Sequence, residues 1–544
     1  MKQYKFVYFV VLAYLLAMFS CTKDLNSDPI DPSTTTSATV FNNPAAYKEA
    51  LAKLYAGLAI TGQYGPNAPA NNTTYQDIQG MDEGLSQYVR QLSICEDLTT
   101  EEAVWSWSND AGGTIYDMHF QNWNASNQVV KGMYNRIYYQ IAICNEYIRE
   151  VSPKVGGLSG SLKSDVYNYL AEARFLRALS YYHALDMFRN VPFVTEKDPI
   201  GIFYPKQIKP DSLFSYIESE LKAITDDNNP VHLINVPQNE SDRQTYYARA
   251  NKGCAWALLA KLYLNAEVYL GTGKSKYNEC VTSCNNVISA GYSLHPTFRN
   301  LFLADNNLNN PEIIFPVAFD GNFTQSWGGT TYLILGAVVG SMPSSDLGMT
   351  ASGWNGLRVT KTFVNKFTTS TDVRAMFYKN GQNLEINDIG TATDGYGFQK
   401  FSNKTSTGGT GKSGSFPDTD YPMFRLADVY LMYAEAVRRG ATNGDLGTAL
   451  GYVNDIRNRA SAGAITSSDL TLPFILDERA RELAWECTRR TDLIRYGLFT
   501  SSSYVWPWKG KTSGGSGTDD IYNVFPIPAS DMSANPNLIQ NSGY

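Results

Sequence analysis

The residues in this chain best suited to chemistry are aromatic and uncharged. Glu101-Glu-Ala-Val-Trp105-Ser-Trp107-Ser-Asn109-Asp110 sets two tryptophans at i, i+2 beside an amide and a carboxylate. In an extended segment alternate side chains share a face, so both indoles would lie together with Asn109 and Asp110 at their edge. A platform of that kind suits a sugar, whose C–H face stacks on indole while its hydroxyls bond amide or carboxylate groups. The same indoles would serve equally well to anchor the loop to a core, and the spacing leaves both readings open. Trp327, in Thr324–Gly329, and Trp354, in Ser352–Gly356, are flanked by glycine, which lets a backbone or ligand approach closely. These two are the further candidates for ligand-facing aromatics.

Other chemistries fit less well. Ser406–Ser413 closes like a phosphate-binding loop, but Ser406 stands where the first glycine is needed, and Phe416-Pro417-Asp418 follows where a helix must begin. Gly510-Lys511-Thr512 fails in the same way at Val505. The densest carboxylate run, Asp477 to Asp492, reads as a helix in which Asp477 faces Arg481, Glu486 faces Arg490 and Asp492 faces Arg495. Cationic partners hold carboxylates ionised and make them poor general acids, so this is an ion-paired structural helix. No Gly-x-Ser-x-Gly or His-Glu-x-x-His pattern occurs. Asp418 and Asp420 are the candidates for a surface calcium site, and no other cofactor is expected.

Composition narrows the partners. There are 45 Lys and Arg against 52 Asp and Glu, a net charge of -7 without any basic block, so a nucleic-acid footprint is missing. Charged residues make up only 18% while aromatics reach 13%, with 36 Tyr and 9 Trp. Polarity therefore comes from uncharged side chains, which suit neutral, hydroxyl-rich ligands. Cys95, Cys144, Cys254, Cys280, Cys284 and Cys487 are scattered and read as core thiols. Cys280 and Cys284 share a helix face, but the nearest histidine is His295, so no zinc site is expected.

The elements that must position these residues are mainly helical. Lys2 and Lys5 precede the apolar run Phe6–Phe19, and Ser20-Cys21 follows where a cleavage site belongs, so residues 1–20 read as a secretory signal. Cys21 as the first mature residue resembles the lipobox of bacterial lipoproteins, whose cysteine is acylated; residues 21–40 read as a tether. No later stretch is long and apolar enough to span a bilayer. Helical periodicity covers Ala45–Ile60, Val129–Val151, Leu162–Phe188, Ser212–Thr225, Ala248–Leu270, Lys276–Ala290, Leu426–Arg439, Leu446–Ala460 and Ile475–Tyr496. Asp211, Gly291 and Gly440 read as caps. Segments beginning at Ala171, Gly253 and Arg425 mix small and large apolar residues like tetratricopeptide helix pairs, at spacings too irregular for a solenoid. Between Pro296 and Pro422 the helical pattern gives way to short β-like runs such as Glu312–Phe319 and Tyr332–Val339. Residues 41–544 thus read as one domain, a helical scaffold (41–60, 128–295, 421–500) with insertions at about 61–127 and 296–420 and a C-terminal loop segment, 501–544. Binding residues belong in those insertions.

Tyr421-Pro-Met-Phe-Arg-Leu-Ala-Asp-Val-Tyr-Leu-Met-Tyr-Ala-Glu-Ala436, Val453–Ala460, Ile475–Glu486, Arg489–Gly497, Phe525-Pro-Ile-Pro528 and Asn535–Tyr544 form an ordered set of blocks that closely resembles the SusD/RagB family of Bacteroidetes surface lipoproteins. The likeness runs upstream through Ala171–Tyr182 and Asn190–Val194 and covers nearly the whole mature chain except the central insertions. It implies a mainly α SusD-like scaffold with tetratricopeptide-like pairs and no enzymatic activity. It also implies lipid anchoring at the outer-membrane surface and a lid-like role over a SusC-like TonB-dependent transporter, capturing a glycan or, in some members, a peptide. Trp105, Trp107 and Asn109 resemble part of the aromatic arc of glycan-binding members. A surface glycoside hydrolase, the remaining alternative, would need two unpaired carboxylates about 5–10 Å apart in a cleft.

Overall fold

The computed structural model describes residues 37–67 and 76–544. Cys21, the signal segment and most of the tether lie outside the described residues. The chain divides after Tyr47, and Lys48–Tyr544 forms one compact unit. In the preceding unit a turn of helix, Ser37–Val40, leads to Phe41, whose ring packs on Tyr47 at 5.0 Å.

Twelve helices of seven or more residues occur among the described residues: α1 (Ala45–Ala59), α2 (Tyr88–Glu96), α3 (Gln128–Val151), α4 (Gly160–Phe188), α5 (Pro210–Ala223), α6 (Lys252–Leu264), α7 (Tyr277–Ser289), α8 (Gly329–Ala337), α9 (Leu426–Arg438), α10 (Leu446–Arg459), α11 (Leu472–Leu483) and α12 (Arg489–Arg495). Their starts follow cap chemistry. The Asn127 side chain accepts from Val129 N, Asn251 from Gly253 N and Asp445 from Thr448 N, each satisfying a backbone donor that a helix leaves open. From Val166 on, α4 is buried on nearly every face, and Ala171, Ala173, Ala178 and Ala184 let neighbours approach closely, as a helix enclosed by others requires. α3 packs on α4, α4 on α5, α5 on α6, α6 on α7, α7 on α9, and α9 on α10 and α11.

Among the described residues strand is confined to four antiparallel pairs: β1 (Val104–Trp105) with β5 (Leu357–Arg358), β2 (Val191–Pro192) with β3 (Gln207–Ile208), β4 (Ile313–Val317) with β8 (Tyr421–Arg425), and β6 (Phe377–Tyr378) with β7 (Gly397–Phe398). The fold is mainly α, as expected, with 46% helix and 6% strand. Cys95, Cys144, Cys254, Cys280 and Cys284 are buried free thiols, and Cys487 is half-buried and free.

Several sequence expectations change. Asp211 lies inside α5 and Lys209 is its N-cap, because Pro210 sets the first helical φ. Ala248 has a φ of 58°, so α6 begins only at Lys252. Tyr332–Val339 is not strand; most of it belongs to α8, which packs on α2. The helix expected over Ile475–Tyr496 breaks after Leu483, where Trp485 and Cys487 adopt φ of 61° and 56°. The break seats the Trp485 indole against Phe398, and its Nε1 donates to Glu102 O at 2.9 Å.

The same break turns Glu486 inward, and the expected pairs Asp477–Arg481 and Glu486–Arg490 are replaced by tertiary ones. Asp477 meets Lys366 at 2.6 Å, while Glu486 meets Arg425 at 2.6 Å and Lys400 at 2.5 Å; only Asp492–Arg495, 2.7 Å, is kept. A buried ionic lattice results. Arg425 also binds Glu312 and Glu482, Arg459 binds the same two, Arg374 binds Asp372, Glu478 and Glu482, and Arg457 and Arg481 converge on Glu478. Burial disfavours the charged form of Glu478, but Arg374, Arg481 and Arg457 outweigh it and hold the carboxyl down to about 2.

Glu478→Gln should therefore leave three guanidinium groups short of a partner and cost about 3–5 kcal/mol, read from urea unfolding at pH 7. Because the folded-state value is depressed, this contribution is present above the ordinary carboxylate range and lost as pH falls from about 4.5 toward 2. The gap between the two proteins should close over that window.

Candidate functional site

Trp105 and Trp107 leave the sheet on the same side but at different depths. Trp105 pairs with Leu357 across β1 and β5, and Ser106 N donates to Gly356 O at 3.1 Å. The Trp105 ring occupies the space a side chain at Gly356 would need, since a Cβ there would lie 2.1 Å from it. Only 1% of Trp105 is exposed, whereas Trp107 is 46% exposed. Of the two readings left open, Trp105 takes the anchoring one, which removes it from the ligand-facing candidates: it supports Trp107 from behind, ring centroids 5.5 Å apart.

The structure extends this pair into an arc. Trp107 lies 6.2 Å from Trp354, Trp354 lies 6.2 Å from Trp327, and Trp327 lies 4.7 Å from Phe416. Successive ring planes are inclined by 40°, 54° and 50°, so the rings do not share one plane. Trp354 and Trp327 are half-buried, held at the rear with an accessible face. Three tryptophans from distant parts of the sequence thus form one aromatic surface, with buried Phe416 packed against Trp327.

Beneath it sits Arg90, which the sequence reading missed. Its side chain is 5% exposed, and its guanidinium lies 4.8 Å from the Tyr332 ring, 5.7 Å from Trp105 and 6.0 Å from Trp354. A buried guanidinium requires a counter-charge. Asp110 supplies it at 2.6 Å, with Asp82 at 4.0 Å on the exposed side. Arg90 Nε is buried without a partner, so one donor remains unspent next to the arc. Asn109 is exposed, and its side chain does not cap the turn Asp110–Gly113, where Ala111, Gly112 and Gly113 all have positive φ.

Two side chains fix these parts relative to one another. Gln87 Oε1 accepts from Arg90 N and Gly329 N, both at 2.8 Å, while its Nε2 donates to Leu58 O at 2.7 Å; one amide thus ties α1, α2 and α8. Buried Glu83 accepts from Trp327 N at 2.9 Å and from the Thr61 hydroxyl. Gly84 and Gly328 allow these approaches, as a Cβ on either would lie 2.7 Å or less from Trp327 or Gln87. Such a surface can stack on apolar ring faces and exchange hydrogen bonds with hydroxyls through Asn109, Asp82 and the accessible part of Asp110. The sequence signals for Arg90 were weak, because α2 is short and lies in a stretch read as irregular.

The calcium expectation at Asp418 and Asp420 is not supported, since all four carboxylate oxygens already accept hydrogen bonds. Asp418 takes Gly321 N and Lys412 N, and Asp420 takes Phe319 N and the Tyr247 hydroxyl. Burial pushes the Asp420 carboxyl up to about 7. Among the described residues no group of three or more His, Cys, Asp or Glu is placed to hold a metal ion. Trp508 staples the C-terminal loop, its Nε1 donating to Ile386 O at 2.8 Å.

Comparison with known proteins gives a consistent family. A profile of the SusD family matches residues 371–544, and a second, described as "Starch-binding associating with outer membrane", matches residues 48–264. The chain is 32% identical over 574 residues to the starch-binding protein SusD of Bacteroides thetaiotaomicron, covering 96% of each. It is 26% identical over 597 residues to a SusD-like protein of Formosa agariphila, covering 100% of both. Among solved structures, a surface glycan-binding protein A from Bacteroides thetaiotaomicron superposes with a TM-score of 0.68 at 18% identity, over 93% of this chain and 100% of that one. A surface glycan-binding protein A of the same organism in complex with laminarihexaose superposes with a TM-score of 0.66 at 18% identity, over 91% and 99%.

The different depths of the two indoles should separate on truncation. Trp105→Ala should cost about 3–5 kcal/mol of folding stability through the cavity it leaves, whereas Trp107→Ala should change urea unfolding by less than about 1 kcal/mol. At Asp420 the folded-state value is raised, so its contribution is full below the ordinary carboxylate range and is lost as pH rises toward and through about 7. Asp420→Asn, neutral throughout, should gain on wild type by on the order of 3 kcal/mol between pH 5 and pH 8, measured by urea unfolding across that range.

Proposed function

The chain belongs to the SusD family, and from that premise we propose that it is a cell-surface lipoprotein that captures an oligo- or polysaccharide and delivers it to a SusC-like TonB-dependent outer-membrane transporter. The observation that carries this reading is the arc Trp107–Trp354–Trp327–Phe416 above the Arg90–Asp110 pair. Its three tryptophans offer stacking faces, buried Phe416 supports Trp327, and the side chains at its edge offer donors and acceptors to hydroxyls. The role is capture without turnover: Asp110 and Asp82 share one guanidinium and serve as hydrogen-bond acceptors. Acylation of Cys21 would hold the protein at the outer membrane.

The inclination of successive rings favours a ligand that curves. A flat ribbon of the β-1,4 type would rest on one or two rings, while a helical glucan turns its sugar faces as it advances. The starch-binding relative agrees with an α-glucan as the leading ligand class. Among the three tryptophans Trp354 stands between the other two, so its loss breaks the arc in the middle.

In affinity gels and calorimetry of the lipid-free protein, an α-1,4-glucan or a curved β-1,3-glucan should bind, and cellulose oligomers should bind at least tenfold more weakly. Trp354→Ala should reduce affinity by about tenfold or more, since loss of one stacked ring is worth roughly 1.4 kcal/mol. No reducing ends should appear on incubation with the ligand. Equal affinity of wild type and Trp354→Ala would overturn the placement of the site, and product release would overturn the capture role.

A further inference from the structure

Away from the arc, the hairpin of β2 and β3 carries an apolar tip with no core to fill. The strands are locked by Val191–Ile208 and Pro192–Gln207, and Phe193 N donates to Lys206 O at 3.0 Å. The base is fastened to the scaffold: Tyr181 and Asn145 donate to Val194 O, and Arg149 donates to Glu196 O and Asp198 O. Beyond it runs Pro199-Ile-Gly-Ile-Phe-Tyr-Pro205, turning at Gly201 with a φ of 106°. Ile202 is 99% exposed, Ile200 75% and Tyr204 54%. Ile539, 74% exposed, joins them from the C-terminal segment, which Gln207 and Asn537 bind to the hairpin.

The charges around this tip lean to the positive. Lys197, Lys206 and Lys209 are exposed and have no acidic partner among the described residues. Of the nearby acids, Glu196 is paired with Arg177 at 2.5 Å, while Asp198 and Asp211 accept from Thr195 N and Ser212 N at 2.7 Å and keep their charge, so the three lysines outnumber the two unpaired carboxylates. We infer that the 199–205 hairpin tip docks on an anionic lipid surface, inserting Ile200 and Ile202 among the acyl chains while the three lysines meet acidic headgroups. Side chains on a protruding turn are easily enclosed by a fluid interface, whereas a protein partner needs a broad complementary face of about 800 Å². Basic residues beside an apolar anchor add attraction to acidic headgroups. This contact makes no use of the arc, so it stands apart from the glycan reading.

The test is vesicle co-sedimentation of the unacylated mature chain, beginning at Cys21, on equimolar phosphatidylcholine and phosphatidylglycerol and on phosphatidylcholine alone. Wild type should bind the mixed vesicles more tightly than the neutral ones. Ile200→Asp with Ile202→Asp should lower binding by about tenfold or more, with unchanged thermal unfolding and glycan retardation in affinity gels. Lys197→Ala, Lys206→Ala and Lys209→Ala together should bring binding on mixed vesicles down to the neutral level. Failure of wild type to bind either vesicle, or equal binding by the double aspartate variant, would overturn the proposal and assign the tip to a protein partner instead.

Discussion

The organisation of this molecule depends on charges taken out of water. Glu312, Glu478, Glu482 and Glu486 are buried with Arg374, Arg425, Arg457, Arg459 and Lys400, and an unpaired member would be severely penalised. Because each carboxylate meets cations from separate segments, the lattice is satisfied only when β4, β8, α10, α11 and the Asp372–Arg374 turn are all in place. A hydrophobic core tolerates small slips, but a bidentate guanidinium does not. The ionic centre therefore acts as a registration device for a scaffold whose helix faces would otherwise pack in several ways.

That registration reaches the arc through short steps. Arg489 binds Glu101, and the Trp485 indole donates to Glu102 O, so the segment entering β1 is held by the region that carries the lattice. Three residues later the chain places Trp105 beneath Trp107, with β5 and Gly356 closing the other side. Gln87 and Glu83 perform the same service for Arg90, Gly329 and Trp327. A surface built of side chains fixed from behind loses little conformational freedom when a ligand stacks on it, which favours affinity from modest individual contacts.

The arc is also economical in charge. Its polar complement is a guanidinium neutralised by Asp110, with the exposed Asp82 carboxylate and an exposed amide beside them. Under the proposed function such a site would discriminate by shape and hydroxyl placement more than by net charge, in keeping with a chain of only 18% charged residues. The lysine-flanked hairpin tip is a different kind of surface, apolar with a positive excess beside it, and lies on separate elements.

Local periodicity determined much of the scaffold: α1, α3, α4, α7, α9 and α10 follow the apolar spacing to within two residues at each end, because their faces are decided by neighbours three and four positions away. Trp107 stood out by its spacing from Trp105, and Trp327 and Trp354 by their glycine flanks, signals that are also local. Depth was not local. Whether Trp105 lies above or below Trp107 is set by a strand pairing more than 250 residues away, and Arg90 joins the site only because α2 packs on α8. The ionic partners of Glu486 and Asp477 likewise came from distant segments, since a buried charge takes the nearest complementary group in space, and sequence spacing records only neighbours along one helix.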